Sequence, residues 1–211
     1  MEIQKNKNIS ELSTLCIGDK AQYYTKASSP EEIKKSVKWA EDKNIPYHII
    51  AGGSNIVFPD KRLKGLLIQI KGGKIIKIND TTLQANSGVK LMNIIKYANN
   101  LGLGGLETLA GIPGTIGGAV FGNAGAYGQS ISESVKKINA WDKSKDIILS
   151  KKECGFKYRH SIFKEKELII TKITLSFKKT DPEKLQQKSN KIIKKRKKKY
   201  SLELKCPGSF F

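Results

Sequence analysis

Ten of the chain's 19 glycines fall within the 27 residues from Gly102 to Gly128, GLGGLETLAGIPGTIGGAVFGNAGAYG. The stretch carries one charged residue, Glu107, although 27% of the chain is charged. Glycine lets backbone come close where a side chain would block it, and it permits positive φ. Two readings stand on this density: two sheets packed closely through the segment, or backbone laid against a flat or phosphorylated ligand. A second place of chemical interest is Gly52-Gly53-Ser54-Asn55, directly after the apolar run YHIIA. It offers consecutive unhindered N–H groups and two short polar side chains, which suits a pyrophosphate. The same four residues also make an ordinary turn. Other chemistry is scarce. Gly111 to Gly118 does not follow the G-x-G-x-x-G spacing, and no G-x-x-x-x-G-K-[ST] run occurs. With His48 and His160 as the chain's two histidines, no histidine-rich metal site is available and Ser-His-Asp catalysis has little to work with. No metal is expected.

The elements that would position these residues are legible in part. Ser29-Pro30-Glu31-Glu32 predicts a helix start, with serine as N-cap, proline at the first position and glutamate closing a capping box. Ile33, Val37 and Ala40 then share one face, and the helix should fade near Asn44-Ile45-Pro46. Tyr47–Ala51, Leu66–Ile70, Lys74–Ile78 and Thr82–Ala85 read as strands, separated by glycine and Asn-Asp turns. Lys90–Leu101 reads as a helix with Leu91, Ile94, Ile95 and Ala98 on one face. Beyond the glycine-rich stretch, Val135–Asp142 and Asp146–Leu149 predict a hairpin, and Glu167–Phe177 a long strand. Asp181-Pro182-Glu183 opens a last helix that runs to about Tyr200 and ends in a basic run, which reads as a solvated face.

At 211 residues and 38% hydrophobic content the chain supports a real core, in one large domain or two small ones. No apolar run is long enough to span a membrane, and the first residues lack a secretory h-region. Cys16, Cys154 and Cys206 are too far apart for metal spacing and read as reduced thiols of a cytoplasmic protein. The net charge is +20, yet of 39 basic residues only Arg62, Arg159 and Arg196 are arginine. Phosphate and base readers lean on arginine's fork. The joint abundance of lysine, isoleucine and asparagine points to an A/T-rich coding sequence more than to attraction of a polyanion, and a nucleotide-bearing anionic substrate would benefit from the field either way. A nucleic-acid-binding module lacks both a recognisable motif and interleaved aromatics.

Six separated motifs then converge. Ser13 to Gly18 (STLCIG), Ala51 to Val57 (AGGSNIV), Leu106 to Ala119 (LETLAGIPGTIGGA), Asn123 to Gly128 (NAGAYG), Tyr158 to Ser161 (YRHS) and Gly208 to Phe211 (GSFF) occur in order. Together they resemble the UDP-N-acetylenolpyruvoylglucosamine reductase family of flavoenzymes. The resemblance implies an α+β fold: a two-part FAD-binding domain of the vanillyl-alcohol-oxidase (PCMH) type, in residues 1–80 and 81–180. Residues 181–211 would begin a C-terminal α+β substrate domain. It implies non-covalent FAD, NADPH as co-substrate and the enolpyruvyl ether of UDP-N-acetylglucosamine as substrate, in a monomer with no nucleic-acid or membrane partner. Ala51, Gly52, Gly53, Ser54 and Asn55 would hold the FAD pyrophosphate. Gly111, Ile112, Gly114, Thr115, Gly117, Gly118, Asn123, Gly125 and Ala126 would line the flavin rings and phosphates. Arg159 would pair with the substrate carboxylate and stabilise the charge that develops, Tyr158 would help to place the substrate, and Ser209 would donate the proton. His160 reads as a local hydrogen-bonding residue. Another FAD oxidoreductase of the same fold would lack reason for Tyr158-Arg159 and Gly208-Ser209.

The sequence departs from the family in two places. Tyr200 to Pro207 lacks the Gln-Pro usual after the basic helix, and the family continues beyond the Gly-Ser-Phe segment with Lys-Asn-Pro and a domain bearing a catalytic glutamate. The expectation is a chain shortened at its C-terminus that folds its FAD domain, has an exposed flavin cleft and last helix with marginal stability, and reduces substrate poorly.

Overall fold

The computed structural model describes residues 1–199. Its first sheet comprises β1 (Gln4–Asn8), β2 (Lys20–Ala27), β3 (Tyr47–Ile50) and β4 (Leu63–Ile70), in the order β1-β2-β4-β3. β1 runs antiparallel to β2, whereas β2, β4 and β3 are parallel. Parallel strands need crossovers, and α1 (Pro30–Asp42) supplies the one between β2 and β3, which flank β4. The Ser29 hydroxyl accepts from the Glu32 N–H at 3.2 Å, with Pro30 in the first turn, as the sequence predicts. The reciprocal bond is displaced: Glu32 Oε2 accepts from the N–H and hydroxyl of Ser28, at 2.7 and 2.9 Å, rather than from Ser29. Those bonds hold the Glu32 carboxyl below its ordinary range.

β4 is the centre of this sheet and is buried on both faces from Gly65 to Ile70, so its sequence is continuously apolar apart from Gln69. Leu66, Ile68 and Ile70 pack with Ile33, Val37 and Ala40 of α1, and Leu67 packs with Ile9, Tyr24, Ile50 and Phe58 on the other side. Gln69 is satisfied. Its Oε1 accepts from the Tyr24 hydroxyl at 2.7 Å, and its Nε2 donates to the Ala51 carbonyl at 3.3 Å.

The second sheet is antiparallel, with β5 (Ile75–Asn79), β6 (Thr82–Asn86), β7 (Val135–Trp141), β8 (Asp146–Ser150) and β9 (Ile169–Ser176) in the order β8-β7-β9-β6-β5. The change of sheet comes at Gly72-Gly73, both at positive φ, so β5 pairs with β6 of the second sheet rather than with the first. Helices α2 (Leu91–Asn100) and α3 (Ile116–Phe121) pack on this sheet in a core that includes Ile94, Ile95, Ile116, Val120, Ile138 and Ile173. Trp141 and Ile169 reach the α1 core, so apolar contact joins the two sheets.

The last helix, α4 (Pro182–Lys199), docks on α2 and the glycine-rich region through Leu185, Ser189 and Ile192. The Asn99 amide donates to the Ser189 hydroxyl at 2.9 Å in this buried seam. Its lysines are exposed, as expected, but the helix is anchored rather than free-standing.

Candidate functional site

The loop after β3 and the loop before α3 meet backbone to backbone. A Cβ on Gly52 would stand 2.7 Å from the Gly114 Cα, and the Ser54 hydroxyl donates to the Pro113 carbonyl at 3.2 Å. Beneath them runs the segment from Leu12 to Thr14. Gly53 has φ +66°, a Cβ there would stand 1.7 Å from the Leu12 carbonyl oxygen, and the Thr14 N–H donates to the Gly53 carbonyl at 3.1 Å. Among the described residues, the N–H groups of Gly52, Gly53, Ser54, Asn55, Gly114 and Thr115 donate to no protein acceptor. Six neighbouring donors without acceptors make a receptor for oxygen-rich, anionic groups.

From this junction the backbone continues as a wall. Thr115 caps α3, its Oγ1 accepting from the Gly118 N–H at 3.2 Å. The N–H groups of Ile116 and Gly117 donate to the carbonyls of Val89 and Ser87. Of the Gly111–Gly118 segment, therefore, the N–H groups of Gly111, Gly114 and Thr115 have no acceptor among the described residues, while Ile112, Ile116, Gly117 and Gly118 spend theirs internally. Gly117 is sterically required, since its Cβ would stand 2.7 Å from the Ser87 Cβ. Gly118 is exposed, and a Cβ there would meet nothing closer than 3.6 Å. No neighbour among the described residues explains that glycine. Gly125–Ala126 form a two-residue ladder with Gln129–Ser130, and Ile112 and Ala126 pack on the second core. Apolar surface flanks the wall: Val57, Phe121 (44% exposed) and Tyr127 (52% exposed). Large apolar side chains left open beside vacant donors mark a surface built to be covered.

Arg159 joins this wall from another element. It sits in a tight turn in which Lys157 and His160 exchange both backbone bonds, at φ +53°, a left-handed conformation uncommon outside glycine. The Arg159 Nη1 lies 3.4 Å from where a Cβ on Gly125 would stand. The turn is stapled to the end of α3: Asn123 Nδ2 donates to the Lys157 carbonyl at 2.8 Å, and the buried Ser161 hydroxyl donates to the Phe121 carbonyl at 2.7 Å. Lys164 Nζ holds the Arg159 carbonyl at 2.8 Å. The Asn123 amide thus supports the Arg159 turn through Nδ2, while its Oδ1 accepts from the Ser132 N–H at 3.4 Å. Tyr158 is 78% exposed, with the Arg159 guanidinium 5.3 Å from its ring centroid. His160 pairs with Glu165 at 2.9 Å, a local role. Ser209 lies outside the described residues.

Three contributors escaped sequence reasoning. The floor at Leu12 to Thr14 had only its motif to mark it. The Tyr24–Gln69 relay under Ala51 has a signal, a glutamine inside an apolar strand. Arg196 of α4 sits over Tyr127, its guanidinium 5.5 Å from the ring centroid. Among the described residues no cluster of His, Cys, Asp and Glu could hold a metal, and no helix is long and apolar enough to cross a membrane.

Comparison with known proteins fits this geometry. A family model described as an FAD binding domain matches residues 21–147. The UDP-N-acetylenolpyruvoylglucosamine reductase of Solibacter usitatus is 35% identical over 196 residues, covering 92% of this chain and 62% of the relative. That of Lactobacillus acidophilus is 33% identical over 212 residues, covering the whole chain and 71% of the relative. This chain belongs to the UDP-N-acetylenolpyruvoylglucosamine reductase family. The crystal structure of the reductase from Thermus caldophilus superimposes with a TM-score of 0.79 over 93% of this chain and 70% of that one, at 24% identity, a likeness of fold. The α+β architecture is that of a two-part, vanillyl-alcohol-oxidase-type FAD-binding domain. The family's cofactor fits the residues present: free donors at Gly52–Asn55, Gly114 and Thr115 for a pyrophosphate, and an open glycine surface rimmed by aromatics for planar rings. The chain spans 62% and 71% of the length of these two relatives.

Proposed function

We propose that this chain carries the flavin-binding part of an NADPH-dependent reduction of the enolpyruvyl ether of UDP-N-acetylglucosamine to UDP-N-acetylmuramate, a step in peptidoglycan synthesis. The observation that carries this is the set of unpaired N–H groups at the meeting of the Gly52–Asn55 and Gly114–Thr115 loops, beside the exposed Gly118 wall. Non-covalently bound FAD would supply hydride transfer, taking a hydride from NADPH and releasing it to a vinyl carbon. Residues 52–55, 114 and 115 hold the pyrophosphate, while Gly118, Gly125 and Ala126 leave room for the rings. Arg159 binds the substrate carboxylate. Asn123, Ser161 and Lys164 fix the backbone turn that carries it, so the guanidinium starts from a set position on the wall and stabilises the negative charge that builds toward that carboxylate. Tyr158 presents an open aromatic face next to it. Ser209 is the proposed proton donor to the carbon next to the one that receives hydride. The protein works as a cytoplasmic monomer.

The test is anaerobic half-reaction spectroscopy on the full chain loaded with FAD. NADPH should bleach the visible flavin band, and enolpyruvyl substrate should restore it slowly, in keeping with a chain expected to reduce substrate poorly. In Arg159→Met the bleaching should persist, while reoxidation by substrate slows about 100-fold or more, the scale of losing a preorganised charge partner. Equal reoxidation in the two proteins would remove Arg159 from this role.

A further inference from the structure

The helix α4 carries nine basic residues, eight lysines and one arginine. All eight lysines are exposed; Arg196 is not. It continues the inward stripe of Leu185, Ser189 and Ile192, standing one turn beyond Ile192 where a further apolar residue would ordinarily seat the helix. Its stem lies on the glycine-rich wall, since a Cβ on Gly111 would stand 3.0 Å from the Arg196 Cδ. Its guanidinium covers Tyr127. Among the described residues the buried Nε–H has no acceptor, and no carboxylate pairs with the guanidinium. The nearby buried carboxylate, Glu107, is committed to Lys188 and to the Gly105 N–H. A buried charged donor without a partner is a costly arrangement for the protein alone. Two of the chain's three arginines, Arg159 at Gly125 and Arg196 at Gly111 and Tyr127, therefore stand against the glycine-rich wall, in a protein that takes most of its positive charge from lysine.

We propose that Arg196 is a ligand-holding residue of the flavin site, donating from its buried Nε–H and fork to an oxygen acceptor of the bound flavin dinucleotide. The inference rests on the FAD reading above. It makes α4 a third side of the cofactor cradle and gives one member of the basic run a specific task. Lysine at this position would keep the charge and part of the stem but lose the Nε–H and the planar fork.

The experiment titrates FAD into the full chain, following flavin fluorescence, for the wild type, Arg196→Lys, Arg196→Gln and Lys197→Gln, with thermal unfolding of each free protein. Losing a charge-assisted donor should raise the dissociation constant about tenfold or more in Arg196→Gln and about fivefold in Arg196→Lys. Lys197→Gln, which removes the same charge from the exposed face, should stay within about twofold. If Arg196→Gln unfolds early, Arg196→Lys, which retains most of the packing, decides. Wild-type affinity in Arg196→Lys and Arg196→Gln would overturn the assignment, as would an equal loss in Lys197→Gln, which would mark a general field. A wild-type chain that takes up no FAD would overturn the cofactor reading itself. FAD binding untouched by Arg196 overturns this inference alone.

Discussion

At the scale of single residues, the glycines of this protein divide by what each would collide with. Gly53 and Gly117 are held by backbone and side chains from Leu12 and Ser87. Gly118 is held by nothing among the described residues. A Gly53→Ala change puts a Cβ onto a carbonyl at positive φ, and should lower unfolding free energy by about 2–3 kcal/mol or more in urea titration. Gly118→Ala should leave stability unchanged or raise it by up to about 1 kcal/mol, because alanine is the better helix residue, yet it should weaken FAD binding. A stabilised Gly118→Ala that binds FAD as the wild type does would place the ring surface elsewhere. Glycine density was legible in the sequence; this division was not. It depends on neighbours some 30 to 40 positions away in the chain and on φ, neither of which composition carries. Asn123 teaches the same point. Its place in the NAGAYG motif suggests a cofactor contact, and coordinates add a second task, holding the turn of Arg159 through its amide nitrogen.

At the scale of elements, capping and periodicity foresaw α1, α2, α4 and the β7–β8 hairpin to within a few residues, because their signals are local. β1 and β2 went unread. β1 is almost wholly exposed and lysine-rich, and β2 sits between antiparallel and parallel neighbours, so its burial does not alternate cleanly. α3 was hidden because Gly117 and Gly118, poor helix formers, are retained there for close approach and for open surface. The anchoring of α4 makes a testable point. Glu107 is nearly fully buried, with Lys188 at 3.2 Å and the Gly105 N–H as partners. Glu107→Ala should cost about 1–3 kcal/mol by leaving the Gly105 donor unpaired, whereas Lys188→Ala, at the exposed end, should cost less than about 1 kcal/mol. Equal costs would mean that the ion pair, rather than the buried acceptor, secures the helix. The β7–β8 turn offers a pH test. Asp142 accepts from the Lys145 N–H and from the Ser144 hydroxyl and N–H, which lower its pKa from 3.8 to about 2. A lowered native pKa means that the stabilisation is present above about pH 4 and lost as pH falls toward 2. The stability gap between wild type and Asp142→Ala should thus be constant from pH 5 to 8 and shrink on further acidification. A gap that persists at pH 2 would show that the carboxylate's charge is not what holds the turn.

At the scale of the whole molecule, two sheets of different topology share one seam, and the candidate site lies where loops from both meet: Gly52–Asn55 from the first, Gly111–Ala126 and Arg159 inserted around the second. Each loop by itself is an ordinary turn, and their proximity gives it chemical meaning. The family resemblance reached the same pairing through motifs in order, whereas the division of free donors and the inward Arg196 needed coordinates. The most direct test of the account is amide hydrogen exchange on the full chain with and without FAD. The free N–H groups of Gly52–Asn55, Gly114 and Thr115 should exchange quickly in the apo chain and slow about tenfold or more when FAD binds, as donors gain acceptors. FAD uptake that leaves those amides unprotected, or no uptake at all, would contradict it.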